Sequence, residues 1–203
     1  MTILRDRANM SPEHIRIAEL AKEDRERKFS SIAHLLTAEE LHEAFKNLRK
    51  DASAGVDRVT YAEYAAKVGE NLQELHDRLK RGKYRAQPLR RIYIPKEDGR
   101  QRPISIPSLE DKIVQKAAAD LLQAIYEQDF LNCSYGFRPG RGPQDALDEV
   151  GRVICRRPIS TILEADIAGY FDAIVRSLLM GMIEKMVCDG TILRLLGNGL
   201  TLA

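Results

Sequence analysis

Two short alternating segments joined by a turn constrain the fold of this chain more than any other feature. Residues 90–95 and 102–107 alternate apolar with polar side chains, and Glu97, Asp98 and Gly99 lie between them. This pattern is typical of two strands joined by a tight turn. Proline at the strand ends suits strands at the edge of a sheet. The sequence therefore predicts a β-hairpin.

Helix signals surround the hairpin on both sides. At three places a Ser or Thr is followed three residues later by an acid, which is the pattern of a helix N-terminus. These pairs are Thr37 with Glu40, Thr60 with Glu63, and Ser108 with Asp111. We expect helices over 11–28, from 38, over 61–81, from 109, and over 144–156, 177–188 and 191–196. Helices combined with a small sheet predict an α+β fold.

Composition places the chain among ordinary soluble proteins. Its 203 residues suffice for one large or two small domains, and 44% are apolar while 31% are charged. No apolar run approaches a membrane span, and no secretory signal is present, so we expect a cytoplasmic protein without a membrane partner. The three cysteines, Cys133, Cys155 and Cys188, are predicted to be reduced core residues.

Positive charge is concentrated in one part of the chain. Ten Lys or Arg residues but only two acids lie between Arg78 and Arg102, although the net charge is only +2. Tyr84 and Tyr93 are interleaved with these cations. Cations neutralise phosphates, and aromatic rings offer faces for base stacking. The segment predicts a nucleic-acid partner, with a solvated basic face as the alternative.

An acidic segment follows at 160–172. The apolar residues of 160–167 predict a buried strand that ends at a turn containing Gly169. Alternation along that strand would place Glu164 and Asp166 on one face. Two carboxylates on one face are suitable ligands for Mg²⁺. The alternative is an acidic strand end that faces water.

Three motifs in a fixed order carry a family resemblance. They are Arg91-Ile-Tyr-Ile-Pro-Lys-x-Asp-Gly-x-x-Arg-Pro-Ile-x-Ile-Pro107, Ser134-Tyr-Gly-Phe-Arg-Pro-Gly-Arg141 and Ala165-Asp-Ile-x-Gly-Tyr-Phe-Asp172. Together they closely resemble the group II intron type of reverse transcriptase, an intron-encoded RNA-directed DNA polymerase and maturase. Residues 41–60, with Gly55-Val-Asp57, are similar to the N-terminal extension of that family. The resemblance covers roughly residues 35–200.

The resemblance implies a division of the chain. It predicts a charged N-terminal helix over 1–35, a helical N-terminal extension over 36–88, the fingers over 89–160 and part of the palm over 161–203. The fold would then be reverse-transcriptase fingers joined to the beginning of a right-hand polymerase palm. That palm would be truncated before the second catalytic carboxylate motif.

The resemblance also implies roles for individual residues. Lys96 and Arg102 would bind the triphosphate of the deoxynucleotide, and Phe171 would pack against its sugar. Asp166 would be catalytic and would bind Mg²⁺ together with the carbonyl of Ile167, with Glu164 in a secondary role. The predicted nucleic-acid contacts are Arg90, Arg91, Tyr135, Phe137, Arg138 and Arg141.

The sequence departs from the family pattern in two ways. The family carries a Tyr-x-Asp-Asp turn downstream of the first aspartate, whereas this sequence contains no Asp-Asp pair and extends 37 residues past Asp166. Val175, Arg176 and Ser177 replace the family's usual Asp-His-Asp. Because two-metal phosphoryl transfer needs carboxylates from more than one strand, we expect these residues alone to be catalytically incomplete.

Three interpretations follow for the function. The chain is an RNA-directed DNA polymerase by family, a truncated RNA-binding relic, or a module completed by a second polypeptide. The expected partners are template or intron RNA, a DNA primer and deoxynucleoside triphosphates. Self-association, or a partner that supplies the missing palm and thumb, is expected because a partial palm leaves apolar surface uncovered.

Overall fold

The computed structural model describes residues 10–95, 99 and 101–202. Within them it contains the helices α1 (Pro12–Glu23), α2 (Ala38–Lys46), α3 (Tyr61–Ala65), α4 (Val68–Lys80), α5 (Leu109–Tyr126), α6 (Pro143–Arg156), α7 (Tyr170–Ala173), α8 (Arg176–Ile183) and α9 (Gly190–Leu202). A 3₁₀ turn spans Ala33–Leu35, and the strands β1 (Arg90–Pro95) and β2 (Gln101–Ile106) form one sheet. Helices with a small sheet confirm the α+β class.

The predicted helix starts are confirmed by their hydrogen bonds. The Thr37 hydroxyl accepts from the N–H of Glu40 at 3.2 Å, and Thr60 forms a complete capping box with Glu63. The Ser108 hydroxyl accepts from the N–H of Asp111 at 3.2 Å. Each bond satisfies an N–H group that the first turn of a helix leaves unpaired.

The predicted helix over 61–81 is divided into α3 and α4. Lys67 adopts a non-helical conformation between them, and the side-chain amide of Asn71 donates to the Tyr64 carbonyl at 3.1 Å. Tyr61 stacks on Phe45 of α2 with ring centroids 4.3 Å apart. The break is therefore set by a tertiary aromatic contact and by a local amide, and α4 then packs on α2.

Backbone pairing near the C-terminus explains another difference from the predicted helices. The N–H of Phe29 donates to the Met186 carbonyl at 2.7 Å, and the N–H of Cys188 donates to the Phe29 carbonyl at 2.8 Å. Residues that pair with a distant segment cannot continue a helix. For this reason α8 ends at Ile183, before the predicted 188. The helix α9 runs beyond the predicted 196 to Leu202.

The predicted hairpin is confirmed. β1 and β2 are antiparallel, with Arg90 opposite Ile106 and Pro95 opposite Gln101. Gly99 has a φ of +79°, a left-handed conformation that favours glycine. Most of the hairpin is exposed, and burial increases toward Ile106 at its base.

The chain divides into two compact units. Unit 1 contains residues 1–27 and 123–182, and unit 2 contains 28–122 and 183–203, so one boundary falls within α5. These units are defined by packing alone. In unit 2 the core includes fully buried Leu41, Leu75, Ile113 and Ile192.

The first turn of α5 connects several segments of unit 2. The Asp111 carboxylate accepts from the Tyr84 hydroxyl at 2.5 Å and from the N–H of Gln87 at 3.0 Å. Lys112 donates to the Ser53 carbonyl at 2.6 Å. Gly55 lies so close to this turn that a Cβ on it would be 2.5 Å from the Ser108 Cα. The backbone of 53–55 is therefore packed directly against the start of the helix.

Asp189 holds two segments of unit 2 together. One carboxylate oxygen accepts from the N–H groups of Ile32 and Ala33, both at 2.8 Å. The other accepts from those of Thr191 and Ile192 in the first turn of α9. Burial raises the pKa of Asp189, but the four N–H donors outweigh that effect and hold the pKa below its usual value.

The predicted buried strand at 160–167 is wrong. Residues 158–167 form no strand, and their side chains are exposed, with Leu163 89% accessible. A strand needs a neighbour to pair its N–H and C=O groups, and the described part of the chain places none beside this segment.

The expected core location of the cysteines is also wrong. Cys133, Cys155 and Cys188 are free thiols, as predicted, but exposed.

The helices of the described ranges differ from membrane-spanning ones. Within these ranges, none of them combines the length and the apolar character needed to cross a bilayer.

Replacing Gly55 with Ala should destabilise the protein by about 1–3 kcal/mol, because the added methyl group forces the backbone of 53–55 away from Ser108. Gly69→Ala on α4 is the matched control, since a Cβ at residue 69 would have no neighbouring atom within 4 Å. Urea denaturation measures both variants. Equal stability of Gly55→Ala and the parent would contradict the close approach.

Replacing Asp189 with Asn should reduce stability by roughly 1–2 kcal/mol at neutral pH, because the amide keeps one acceptor oxygen and turns its NH₂ group toward two backbone N–H donors. Since the folded pKa lies below the unfolded value of about 3.9, this contribution is present above pH 4 and disappears as the pH falls through the folded pKa. Thermal denaturation at several pH values should show the parent and variant converging in acid. Glu26→Gln, at an exposed acid, is the control, and a difference that persists unchanged at low pH would refute the proposed cap.

Candidate functional site

The two faces of the hairpin carry different side chains. Alternation and register place Arg90, Ile92 and Ile94 of β1 beside Ile106, Ile104 and Arg102 of β2 on one face. Arg91 and Tyr93 lie on the opposite face, where Tyr93 faces Pro103 and is 60% exposed. The hairpin thus presents arginines on both faces, and an accessible aromatic ring on one of them.

Two members of the basic segment have structural roles. The Arg78 guanidinium binds both oxygens of Glu110, at 2.7 and 2.8 Å. Tyr84 is buried, and burial together with its hydrogen bond to Asp111 raises the pKa of its hydroxyl. The suggestion that Tyr84 offers a face for base stacking is therefore wrong, because its ring is enclosed.

The arginines of the hairpin, by contrast, are accessible to a ligand. Arg90, Arg91 and Arg102 are exposed, and none of them forms an ion pair with another described residue. The positive charge of Arg90 also acts on Lys112, whose pKa is lowered mainly by burial and further by this neighbour, against the opposing effect of Asp57. Lys96, the other predicted triphosphate ligand, lies outside the described residues.

Arg138 is an internal anchor of the loop at 132–142. Its Nε and Nη2 donate to the carboxylate of Glu127, and Nη1 donates to the carbonyls of Leu131 and Ser134 at 2.7 and 2.8 Å. The guanidinium also lies 5.1 Å from the centroid of the Phe130 ring. With most donors used inside the protein, Arg138 is placed to shape this loop.

The two aromatic residues of this loop, Tyr135 and Phe137, differ in how far they are exposed. Phe137 is 87% exposed and has a φ of +56°, a left-handed conformation that is strained for a phenylalanine. Arg141 donates to the Asn132 carbonyl and lies 5.6 Å from the centroid of the half-buried Tyr135 ring. The anchored loop thus projects one aromatic side chain into solvent.

The acidic segment presents its carboxylates to solvent. Glu164 and Asp166 are exposed, as are Ile167 at 69% and Phe171 at 77%. Phe171 packs edge-on against Tyr170 with ring centroids 5.3 Å apart, after Gly169 in a left-handed conformation.

The residues predicted to bind Mg²⁺ supply only part of a site. A carboxylate and a backbone carbonyl are the oxygen donors that this cation prefers. However, the described residues contain no group of three His, Cys, Asp or Glu side chains able to hold a metal. Asp166 and Ile167 therefore fit the cation in kind but do not form a complete coordination sphere.

The predicted site residues belong to different units. The hairpin lies in unit 2, whereas the loop at 132–142 and the acidic segment lie in unit 1. Sequence reasoning did not identify Glu110 and Asp111 as the partners of Arg78 and Tyr84. The capping sequence that begins at Ser108 marked both acids as residues of a helix start, but it did not indicate these long-range partners.

Comparison with known families identifies the class of protein. Residues 94–200, more than half of the chain, match the reverse transcriptase (RNA-dependent DNA polymerase) family. The chain belongs to this family. The match includes β2, the loop at 132–142 and the acidic segment, which are regions where the resemblance was strongest.

Individual relatives show which type of reverse transcriptase the chain resembles. Protein YkfC of Escherichia coli (strain K12) is 38% identical over 145 residues, covering 70% of this chain and 38% of that protein. The group II intron-encoded protein LtrA of Lactococcus lactis subsp. cremoris is 31% identical over 176 residues, covering 86% of this chain and 29% of LtrA. An uncharacterized 91 kDa protein in the cob intron of Schizosaccharomyces pombe is 34% identical over 122 residues, covering 60% of this chain and 15% of that protein. The predicted similarity to group II intron-type reverse transcriptases is confirmed, and the chain spans well under half the length of these relatives.

Proposed function

We propose that this chain is the fingers and the first part of the palm of a group II intron-type RNA-directed DNA polymerase. The observation that carries the proposal is the exposed hairpin, whose three arginines have no internal acid partner within the described residues. Its second strand lies within the region that matches the reverse transcriptase family. In this proposal residues 1–35 form a charged N-terminal helix and 36–88 the N-terminal extension. Residues 89–160 form the fingers and 161–203 the partial palm.

The proposed macromolecular substrate is RNA, read as a template or bound as intron RNA, together with a DNA primer. Arg90 and Arg91 point to opposite faces of the hairpin, so they contact phosphates on two sides of it. Tyr93 and Phe137 are exposed aromatic rings on which unpaired bases stack. Tyr135 and Arg141 support the loop that presents Phe137, and Arg138 fixes its shape.

The proposed small substrate is a deoxynucleoside triphosphate. Arg102 lies opposite Ile94 near the turn of the hairpin, where it binds the triphosphate together with Lys96. Phe171 packs against the sugar, a role for which its exposed ring is available. Asp166 and the Ile167 carbonyl contribute oxygen ligands to Mg²⁺, and further carboxylates are required to complete that site.

Replacing Arg90, Arg91 and Arg102 together with Ala should weaken binding of a structured RNA and flatten its salt dependence. Each lost phosphate contact lowers the slope of log K against log salt by about 0.7–0.9, so three contacts remove roughly 2–3 units. Fluorescence anisotropy over a salt series from about 50 to 300 mM measures the slope.

The control for this experiment removes the same charge elsewhere. Arg16, Lys22 and Arg25 are exposed cations on and just after α1, and their replacement with Ala should leave the slope nearly unchanged. If both triple variants lose the same affinity and slope, the hairpin is only part of a general basic surface.

A second candidate is a module completed by another polypeptide, and the apolar surface of unit 1 favours it. α6 has a strongly amphipathic sequence but no buried residue, and Leu147, Val150 and Ile154 are all exposed. The neighbouring region exposes Leu163, Leu178 and other large apolar side chains. An exposed apolar helix face of this kind is typical of an interface, so self-association or a partner is expected.

Primer extension on an RNA template separates these candidates from an active enzyme. The 203-residue chain alone should give no measurable DNA synthesis, because its described carboxylates do not assemble a two-metal site. Adding a polypeptide that carries the missing palm and thumb should restore synthesis if the chain is a module, and Asp166→Ala should then abolish it. Glu164→Ala is the matched control and should retain most activity. Robust extension by the chain alone would refute the proposed incompleteness.

A further inference from the structure

A cavity of about 310 Å³ lies within unit 2, lined by the 3₁₀ turn and Leu36, by the end of α4 and the residues just after it, and by α9. It shares no lining residue with the hairpin, the loop at 132–142 or the acidic segment. Its volume is at the lower end of the range for sites that bind small molecules. The proposed polymerase function does not use this cavity.

Unpaired positive charge lines the cavity. Lys80 and Arg194 contribute to its wall, and neither forms an ion pair or a side-chain hydrogen bond with a described residue. By contrast, two cations close to Lys80 in the sequence do have acidic partners. Arg78 binds Glu110 at 2.7 Å, and Arg81, just after α4, lies 3.7 Å from Asp77. Lys80 and Arg194, which line the cavity, therefore have no acidic partner among the described residues.

Gly82 permits the position of Arg194. It has a φ of +66°, and a Cβ on it would lie 3.0 Å from Nη2 of Arg194. A side chain at residue 82 would thus crowd the guanidinium against the cavity wall. The absence of a side chain leaves room for a charged group beside this residue.

The remaining lining combines apolar side chains with imidazole rings. Leu36 and Leu79 supply apolar surface, and His34 and His76 supply flat polar rings with nitrogen donors or acceptors. An apolar surface with flat rings suits a planar heterocycle, and unpaired cations suit a phosphate. These features together match the two ends of a nucleotide.

We propose that this cavity binds one nucleoside monophosphate unit, either free or as an unstacked nucleotide of an RNA strand. Lys80 and Arg194 bind the phosphate. The base lies against Leu36 and Leu79, beside the rings of His34 and His76. The site is separate from the hairpin and does not depend on polymerase activity.

The test titrates the full 203-residue chain with AMP and follows the histidine ring protons by NMR. The chain contains four histidines, and His34→Gln and His76→Gln assign the two signals of interest. The signals of His34 and His76 should shift, while those of His14 and His42 stay in place. An AMP titration that leaves the His34 and His76 signals unmoved overturns the proposal.

Substitutions of Lys80 and Arg194 test whether these two residues bind the phosphate. The double variant Lys80→Ala with Arg194→Ala should bind AMP at least about tenfold more weakly, because two charge-assisted hydrogen bonds are lost. Lys67→Ala with Lys185→Ala removes two exposed cations of the same unit that do not line the cavity, and should change the Kd less than about twofold. Circular dichroism checks that both double variants are folded, and Lys80→Gln, which keeps an uncharged polar side chain, should show an intermediate loss. Equal AMP affinity in the two double variants overturns the proposal.

Two further probes distinguish the sources of the ligand. Inorganic phosphate should bind much more weakly than AMP, and equal affinity would refute a nucleotide site. A short single-stranded oligoribonucleotide that displaces AMP identifies the unit as part of RNA, whereas failure to displace it identifies the free nucleotide. The triple variant at Arg90, Arg91 and Arg102 should still bind AMP, so loss of hairpin function and loss of this site are separable.

Discussion

The first turn of α5 is the interaction on which unit 2 depends. Within four residues, Ser108 packs against Gly55, Glu110 binds Arg78, and Asp111 accepts from Tyr84 and Gln87. These partners come from two parts of the preceding chain, residue 55 and the segment 78–87. Because a helix N-terminus also favours acidic side chains, the same residues satisfy the helix and hold the segments that lead into the hairpin. The hairpin is thereby positioned from its base.

The helix starts and the hairpin could be predicted because their signals are local. Thr60 and Glu63 specify a capping box within four residues, and the strand pattern surrounds a turn that contains Gly99. The roles of Arg78 and Tyr84 could not be predicted, because their acid partners lie 32 and 27 residues further along the chain. Composition showed a basic segment, but only the contacts show which of its cations have acidic partners among the described residues.

The failure at 160–167 has the same origin. The alternation of Ile162, Glu164 and Asp166 is a local property, whereas a β-ladder requires a second strand that the pattern cannot specify. Ile162, Leu163 and Ile167 are large apolar residues of this segment, and all three are exposed. Alternation of apolar residues indicates that a segment could form a strand with one buried face. Whether the strand forms depends on a partner that packs against that face.

The distribution of arginines carries the functional argument furthest. Arg138 and Arg78 are surrounded by internal acceptors, so their charges are neutralised and their positions are fixed. Arg90, Arg91 and Arg102 project from a two-stranded hairpin whose end has little core of its own. An isolated hairpin is only marginally stable in water, and these arginines have no acidic partner among the described residues. In the proposed function, phosphates of the bound RNA would neutralise these charges, so binding would stabilise the hairpin as well as the complex.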